Sequence, residues 1–101
     1  MWYIYILLCS DRSFYVGSSE DIHSRVQQHN EGRGAKYTKH RRPVELIYYE
    51  ELSSKKSAEL REKEIKRYSR KNKENLALYG TGKRFPSSRN QEKRETRDFA
   101  Q

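Results

Sequence analysis

Two tyrosine-bearing tripeptides stand a hairpin's length apart near the N-terminus, Tyr3-Ile4-Tyr5 and Tyr15-Val16-Gly17. Arg25 and His29 follow at a spacing of four, which stacks them along one stripe of a helix. Further on, Glu62 falls four residues after Ala58 and three before Ile65, so a helix there would set this acid among core-facing neighbours. Phenols, a guanidinium, an imidazole and one carboxylate are a poor recipe for a core. They are a workable set for cutting a phosphodiester.

Each of these residues also has an ordinary structural role. Tyr3, Tyr5 and Tyr15 in strands would usually pack into a sheet. Arg25 would be solvated, and His29 near a helix C-terminus would complement the dipole. Glu62 is different, because a carboxylate buried without a partner is expensive. It needs a cation such as Arg25 or a lysine, a metal ion, or access to water. Periodicity leaves the ion pair and the metal level.

The elements that must position these groups can be read from pattern. Trp2 to Cys9 is rich in β-branched and aromatic residues, Ser10 to Ser13 is a polar turn, and Phe14 to Gly17 returns, which predicts an antiparallel hairpin. Alternation puts Tyr3, Tyr5 and Leu7 on one face and Ile4, Ile6 and Leu8 on the other; the hairpin register stays open. Ser18-Ser19-Glu20-Asp21 reads as a helix start, with Ile22 and Val26 as its apolar stripe. Asn30 to Gly34 ends that helix in a glycine-punctuated loop, and the loop runs on to Arg42. Val44 to Glu50 alternates as a third strand. Ser53-Ser54 predicts the cap of a helix from about Lys55 to Ser69, and Asn72 that of a short last helix burying Leu76, Leu78 or Tyr79. The expected fold is α/β (α+β), a small, largely antiparallel three-stranded sheet flanked by helices. Residues 1–81 would form the domain and residues 82–101 a disordered, charged tail.

With 101 residues, 33% hydrophobic and 36% charged, the chain has room for one modest core, much of it aromatic. The formal net charge of +8 predicts attraction to polyanions, nucleic acid before an anionic membrane surface. Cys9 is the one cysteine, so no intramolecular disulfide forms and a reducing cytoplasm is the expected setting. The apolar run from Trp2 to Leu8 is too short to span a bilayer and lacks the features of a secretory signal.

Taken in order, these segments resemble the GIY-YIG nuclease superfamily, and within it the small stand-alone bacterial branch. Tyr3-Ile4-Tyr5 stands where that family's first tripeptide falls, with Tyr3 in place of the glycine, and Tyr15-Val16-Gly17 stands where the second falls. Arg25 sits within Asp21 to Val26 as the family's helical arginine. Gly34 to Thr38, Arg41 to Leu46 and Arg61 to Lys66 are similar to the small branch, the last segment carrying its glutamate, Glu62.

The resemblance implies a divalent-metal-dependent endonuclease. Tyr5 or Tyr15 would orient or deprotonate the attacking water, and Arg25 would steady the phosphate. Glu62 would hold one cation, Mg²⁺ with Mn²⁺ as the alternative, and His29 would contact phosphate or relay a proton. DNA is the favoured substrate, branched, damaged or single-stranded rather than a defined duplex sequence. The basic run Lys36, Tyr37, Lys39, Arg41 and Arg42 suits phosphate contact with stacking on an unpaired base. No membrane and no small-molecule cofactor are expected, and a monomer is favoured. The rival readings are a non-catalytic nucleic-acid-binding module on the same fold and an adaptor for an acidic protein.

Overall fold

A computed structural model describes residues 1–85 of the chain. In order along the sequence lie β1 (Trp2–Leu8), β2 (Phe14–Ser19), α1 (Ile22–Asn30), α2 (Lys36–Lys39), β3 (Glu45–Leu52), α3 (Lys55–Lys66), α4 (Arg70–Tyr79) and β4 (Lys83–Arg84). The strands form one sheet in the order β2-β1-β3-β4 with every neighbouring pair antiparallel. The fold is the α+β arrangement expected, an antiparallel sheet flanked by helices. It has four strands rather than three. The extra strand, β4, lies in the stretch expected as a tail; the remainder of that expected tail, residues 86–101, lies outside the described residues.

Alternation along β1 sets the two layers. Ile4, Ile6 and Leu8 pack with Val16, Ala58 and Ile65, so α3 covers that face. Tyr5, Leu7 and Cys9 pack with Val44, Val26, Leu46 and Tyr49 on the other, which α1 covers. Both sets are buried, and β1 is therefore the central strand in packing as well as in pairing. The hairpin register pairs Tyr5 with Gly17 and Leu7 with Tyr15, which brings Tyr5 and Tyr15 to the same face. In the turn, Asp11 accepts from the Ser13 backbone N–H at 3.0 Å and from the Ser13 hydroxyl at 2.5 Å.

β3 departs from simple alternation. Ile6 pairs with Tyr48 and Leu7 with Leu46, leaving Ile47 as an extra residue, a β-bulge. Ile47 and Tyr48 consequently both join the Ile4 face, while Leu46 and Tyr49 serve the Tyr5 face. Caps fix the helices. Asp21 accepts from Ser24 N at 3.1 Å, so Ser18 and Ser19 extend β2 instead of opening α1. Ser54 caps α3 through Ser57 N at 3.1 Å. Ser69, not Asn72, caps α4, accepting from Asn72 N at 3.1 Å; α4 buries Ala77 and leaves Tyr79 exposed.

One charged network ties the α3 side together. Arg61 grips Glu50 through Nε at 2.7 Å and Nη2 at 2.9 Å, and Tyr48 donates its hydroxyl to the same carboxylate at 2.6 Å. Burial pushes the Glu50 carboxyl up, but the Arg61 fork and the Tyr48 hydroxyl outweigh it and hold it below the usual range. Arg61→Ala should therefore cost about 2–3 kcal/mol in urea denaturation near pH 7, since it strands a carboxylate with only 14% of its side chain exposed. Because the folded value is depressed, the contribution is present above the ordinary glutamate range and is lost as pH falls through the folded value. The gap between wild type and variant should close at acid pH, once Glu50 is protonated in the folded state, and a gap independent of pH would refute this account.

Candidate active site

The site grows from the pairing of Tyr5 with Gly17. A Cβ on Gly17 would overlap the Tyr5 hydroxyl and ring, so the missing side chain lets the phenol lie across β2. The Tyr5 hydroxyl ends 3.0 Å from Nε2 of His29. The other imidazole nitrogen, Nδ1, lies 2.8 Å from the Thr38 hydroxyl. His29 and Thr38 are the buried polar side chains among the described residues. Tyr15 stands beside them, its ring centroid 5.0 Å from that of His29 and 6.5 Å from that of Tyr5.

Arg25 lies one turn before His29 on α1. It donates to Gln28 Oε1 at 2.9 Å and to the Gly34 carbonyl at 2.8 Å. Gly34 has no room for a side chain, because a Cβ there would overlap the His29 ring and crowd its backbone. One glycine thus seats the imidazole and anchors the guanidinium. Tyr5, Tyr15, Arg25 and His29 all meet on this face.

Burial, with the nearby Tyr15 and Glu62, pushes the Tyr5 phenol up to about 12, and Arg25 pulls against that rise. Burial and the charge of Arg25 push His29 down to about 4. Near neutrality the buried pair is therefore a neutral phenol against a neutral imidazole. Tyr5 is 1% exposed, whereas Tyr15 is only partly buried and stands at the rim.

Glu62 arrives from the opposite layer. It sits on α3 between the fully buried Ala58 and Ile65. Its Oε1 accepts from the Ser18 hydroxyl at 2.6 Å, and its Oε2 pairs with Lys66 at 2.7 Å. Of the partners the sequence left open, a lysine is present and Arg25 is not. Ser18 adjoins Gly17, so the carboxylate reaches the β2 edge that Tyr5 crosses. A carboxylate and a hydroxyl are hard oxygen donors, which fits a cation such as Mg²⁺ that keeps most of its waters and takes its other ligands from phosphate. Among the described residues no cluster of three or more His, Cys, Asp or Glu could hold an ion.

The basic segment divides into braces and free cations. Arg41 pairs with Asp11 at 3.0 Å, donates to the Tyr37 carbonyl at 2.7 Å and lies 3.9 Å over the Tyr37 ring. Tyr37 in turn stacks on Tyr15 at 6.1 Å. Arg42 donates to the carbonyls of Lys39 at 2.8 Å and Asn30 at 3.3 Å. Both arginines thus fasten the loop. Lys36 and Lys39 are exposed and make no ion pair among the described residues. An open hollow of about 530 Å³ lined by Asn30, Lys39, His40, Arg42 and Pro43 adjoins the His29–Thr38 pair in sequence.

Ser18, read from the sequence as part of a helix start, Gly34, read as part of a loop, and Thr38 were not among the expected site residues. Thr38 had one signal, a lone short hydroxyl inside a run of cations.

Comparison with known proteins gives a consistent picture. The model of the GIY-YIG catalytic domain matches residues 1–75. A UPF0213 protein of Haloquadratum walsbyi is 48% identical over 79 residues, covering 78% of this chain and 89% of its own length. A UPF0213 protein of Staphylococcus aureus is 52% identical over 71 residues, covering 70% and 87%. The solution NMR structure of a UPF0213 protein from Bacillus halodurans aligns with a TM-score of 0.50 at 42% identity, covering 80% of this chain and 88% of that one.

The burial of a neutral His29 has a pH signature. Its contribution to stability is present above 6.5 and is lost as pH falls through about 4, because the unfolded chain takes up the proton first. His29→Gln should flatten that part of the stability–pH curve measured by urea denaturation. Gly34→Ala should cost about 1–3 kcal/mol through overpacking. An unchanged urea midpoint would refute the close seating of Gly34 on the ring.

Proposed function

The chain belongs to the GIY-YIG family, and from that premise we propose that it is a divalent-metal-dependent nuclease hydrolysing phosphodiester bonds in DNA. The observation that carries this reading is the meeting of Tyr5, Tyr15, Arg25 and His29 on one face of the β1–β2 hairpin, with Glu62 held through Ser18 at the same edge.

The two tyrosines take different parts. Tyr5 is enclosed and its hydroxyl is committed to His29, so it shapes the floor of the site. Tyr15, at the rim, is the phenol that meets and orients the attacking water. Arg25 spends N–H groups on Gln28 and Gly34, also interacts with the Tyr5 oxygen, and offers its remaining donors to phosphate oxygens. Glu62 would hold the ion, Mg²⁺ with Mn²⁺ as the alternative. When bound, that ion would polarise the phosphoryl group and stabilise the leaving oxygen. Lys36 and Lys39 supply mobile positive charge to the flanking backbone. Contacts to backbone phosphates carry no sequence information, so branched, damaged or single-stranded DNA is a better substrate class here than a defined duplex sequence.

A non-catalytic binding module on the same fold is the second reading. It is favoured by the carboxylate of Glu62, both oxygens of which are occupied by Ser18 and Lys66. Labelled single-stranded, branched and duplex DNA, with RNA alongside, incubated with Mg²⁺ or with chelator, separates the two. Cleavage that requires the metal and falls at least about 100-fold in Glu62→Gln and in Tyr15→Phe, about 2.7 kcal/mol of lost transition-state stabilisation, supports the enzyme. Removing Lys36 or Lys39 should instead weaken binding and lower the salt slope by about 1 each. Salt-sensitive binding without cleavage would leave the module, and no binding at low salt would leave an adaptor.

A further inference from the structure

We propose that Thr38 is a positioning residue that sets the tautomer of His29 and thereby fixes Tyr5 as a hydrogen-bond donor into the floor of the site. The deduction runs from both ends of one buried chain. At the tyrosine end, the phenol is 1% exposed and its partner is Nε2 of His29 at 3.0 Å. A buried O–H needs an acceptor, so Nε2 carries the lone pair. In a neutral ring the proton then sits on Nδ1, which must donate, and the Thr38 hydroxyl 2.8 Å away receives it. At the threonine end, the hydroxyl donates its own proton to the Ala35 carbonyl at 3.2 Å, which leaves its oxygen as an acceptor. The two ends agree, and no buried side-chain polar atom among the described residues is left without a partner.

With Thr38 in place the opposite tautomer is the costlier one, since the Thr38 oxygen would face a bare Nδ1 or give up its bond to Ala35. Nε2–H would donate to the Tyr5 oxygen and turn the phenol proton outward. The Arg25 guanidinium also interacts with the Tyr5 hydroxyl and has only donors, so that proton would compete with them. With Nδ1–H, the Tyr5 oxygen turns its lone pairs to Arg25. Thr38 therefore acts through His29 on the polarity of Tyr5.

Only the activity arm of the test rests on the nuclease reading. In ¹⁵N-histidine NMR of the whole chain, His29 of the wild type should be a neutral ring protonated at Nδ1. Thr38→Val keeps the shape and removes the acceptor, so the ring should change to the Nε2–H form; Thr38→Ser should restore Nδ1–H. Cleavage should fall about 10- to 100-fold in the valine variant, the scale for losing the outer partner of an oriented histidine, and recover in the serine variant. A wild-type ring protonated at Nε2, or a valine variant still protonated at Nδ1, would overturn the proposal. The wild-type spectrum decides the matter even if the valine variant does not fold. Nδ1–H with the predicted switch, in a protein that cleaves nothing, would uphold the positioning role and remove the nuclease reading.

Discussion

β1 is buried on both faces, and the two faces make different demands. Towards α3 it presents Ile4, Ile6 and Leu8, which need nothing but neighbours. Towards α1 it presents Tyr5, whose ring is welcome in a core and whose hydroxyl is not unless it finds a partner. That single requirement explains much of the surrounding sequence. His29 is buried to answer the phenol, Thr38 to answer His29, and Gly34 is bare because the imidazole needs its space. Gly17 is bare because the phenol needs the space above β2. The packing of the small core and the geometry of the site are the same set of contacts.

The chain meets this demand without burying an ion on that face. A neutral phenol against a neutral imidazole avoids the desolvation penalty of a buried charged pair, and Arg25, partly solvated, supplies the nearest formal charge. In the other layer a partly buried charged pair does form, where Arg61 grips Glu50 and Tyr48 donates to the same carboxylate beneath α3. A positive potential near Tyr15 is thus left unopposed by a buried carboxylate on its own face. Glu62 is the acid that approaches, and it does so from across the sheet edge.

The legible parts of the sequence were those with a strong period or a chemical stop. The two-residue alternation of Trp2 to Leu8 separated Ile4 from Tyr5 correctly, and the spacing of Ala58, Glu62 and Ile65 placed the acid beside two fully buried residues. The bulge at Ile47 was not legible, because Leu46, Ile47, Tyr48 and Tyr49 are all apolar or aromatic and carry no period to break. β4 is two charged residues, Lys83 and Arg84. It is held by long-range contacts, the Phe85 N–H on the Ile47 carbonyl at 2.8 Å and the Phe85 ring on Tyr49 at 5.8 Å, which no local pattern encodes. Ser69 and Asn72 are both good caps, and the end of α3 decided between them. Arg41 and Arg42 read as phosphate ligands from composition. In the fold, the carbonyls of Tyr37, Lys39 and Asn30 take up some of their donors, a second role that depends on how the loop closes and not on its charge.

Of the two readings the sequence left level for Glu62, the structure shows the ion pair, with Lys66. The bond to Lys66 joins residues four apart on one helix, with half of the lysine side chain exposed. Pairs of that kind contribute roughly 0.3–0.5 kcal/mol. The bond to Ser18 is the better-protected one, since it bridges α3 and β2 in a partly buried position. The carboxylate is therefore anchored at one oxygen and loosely answered at the other. A divalent cation arriving with phosphate would exchange only the loose partner, at a cost far below the interaction of a doubly charged ion with a half-buried carboxylate. The released ammonium of Lys66 would then stand at the rim of a site that binds a polyanion. The Ser18 bond ties α3 to β2 and sets the carboxylate at the edge of the tyrosine face, a bond to a charged group of the kind that contributes roughly 1.5–3 kcal/mol.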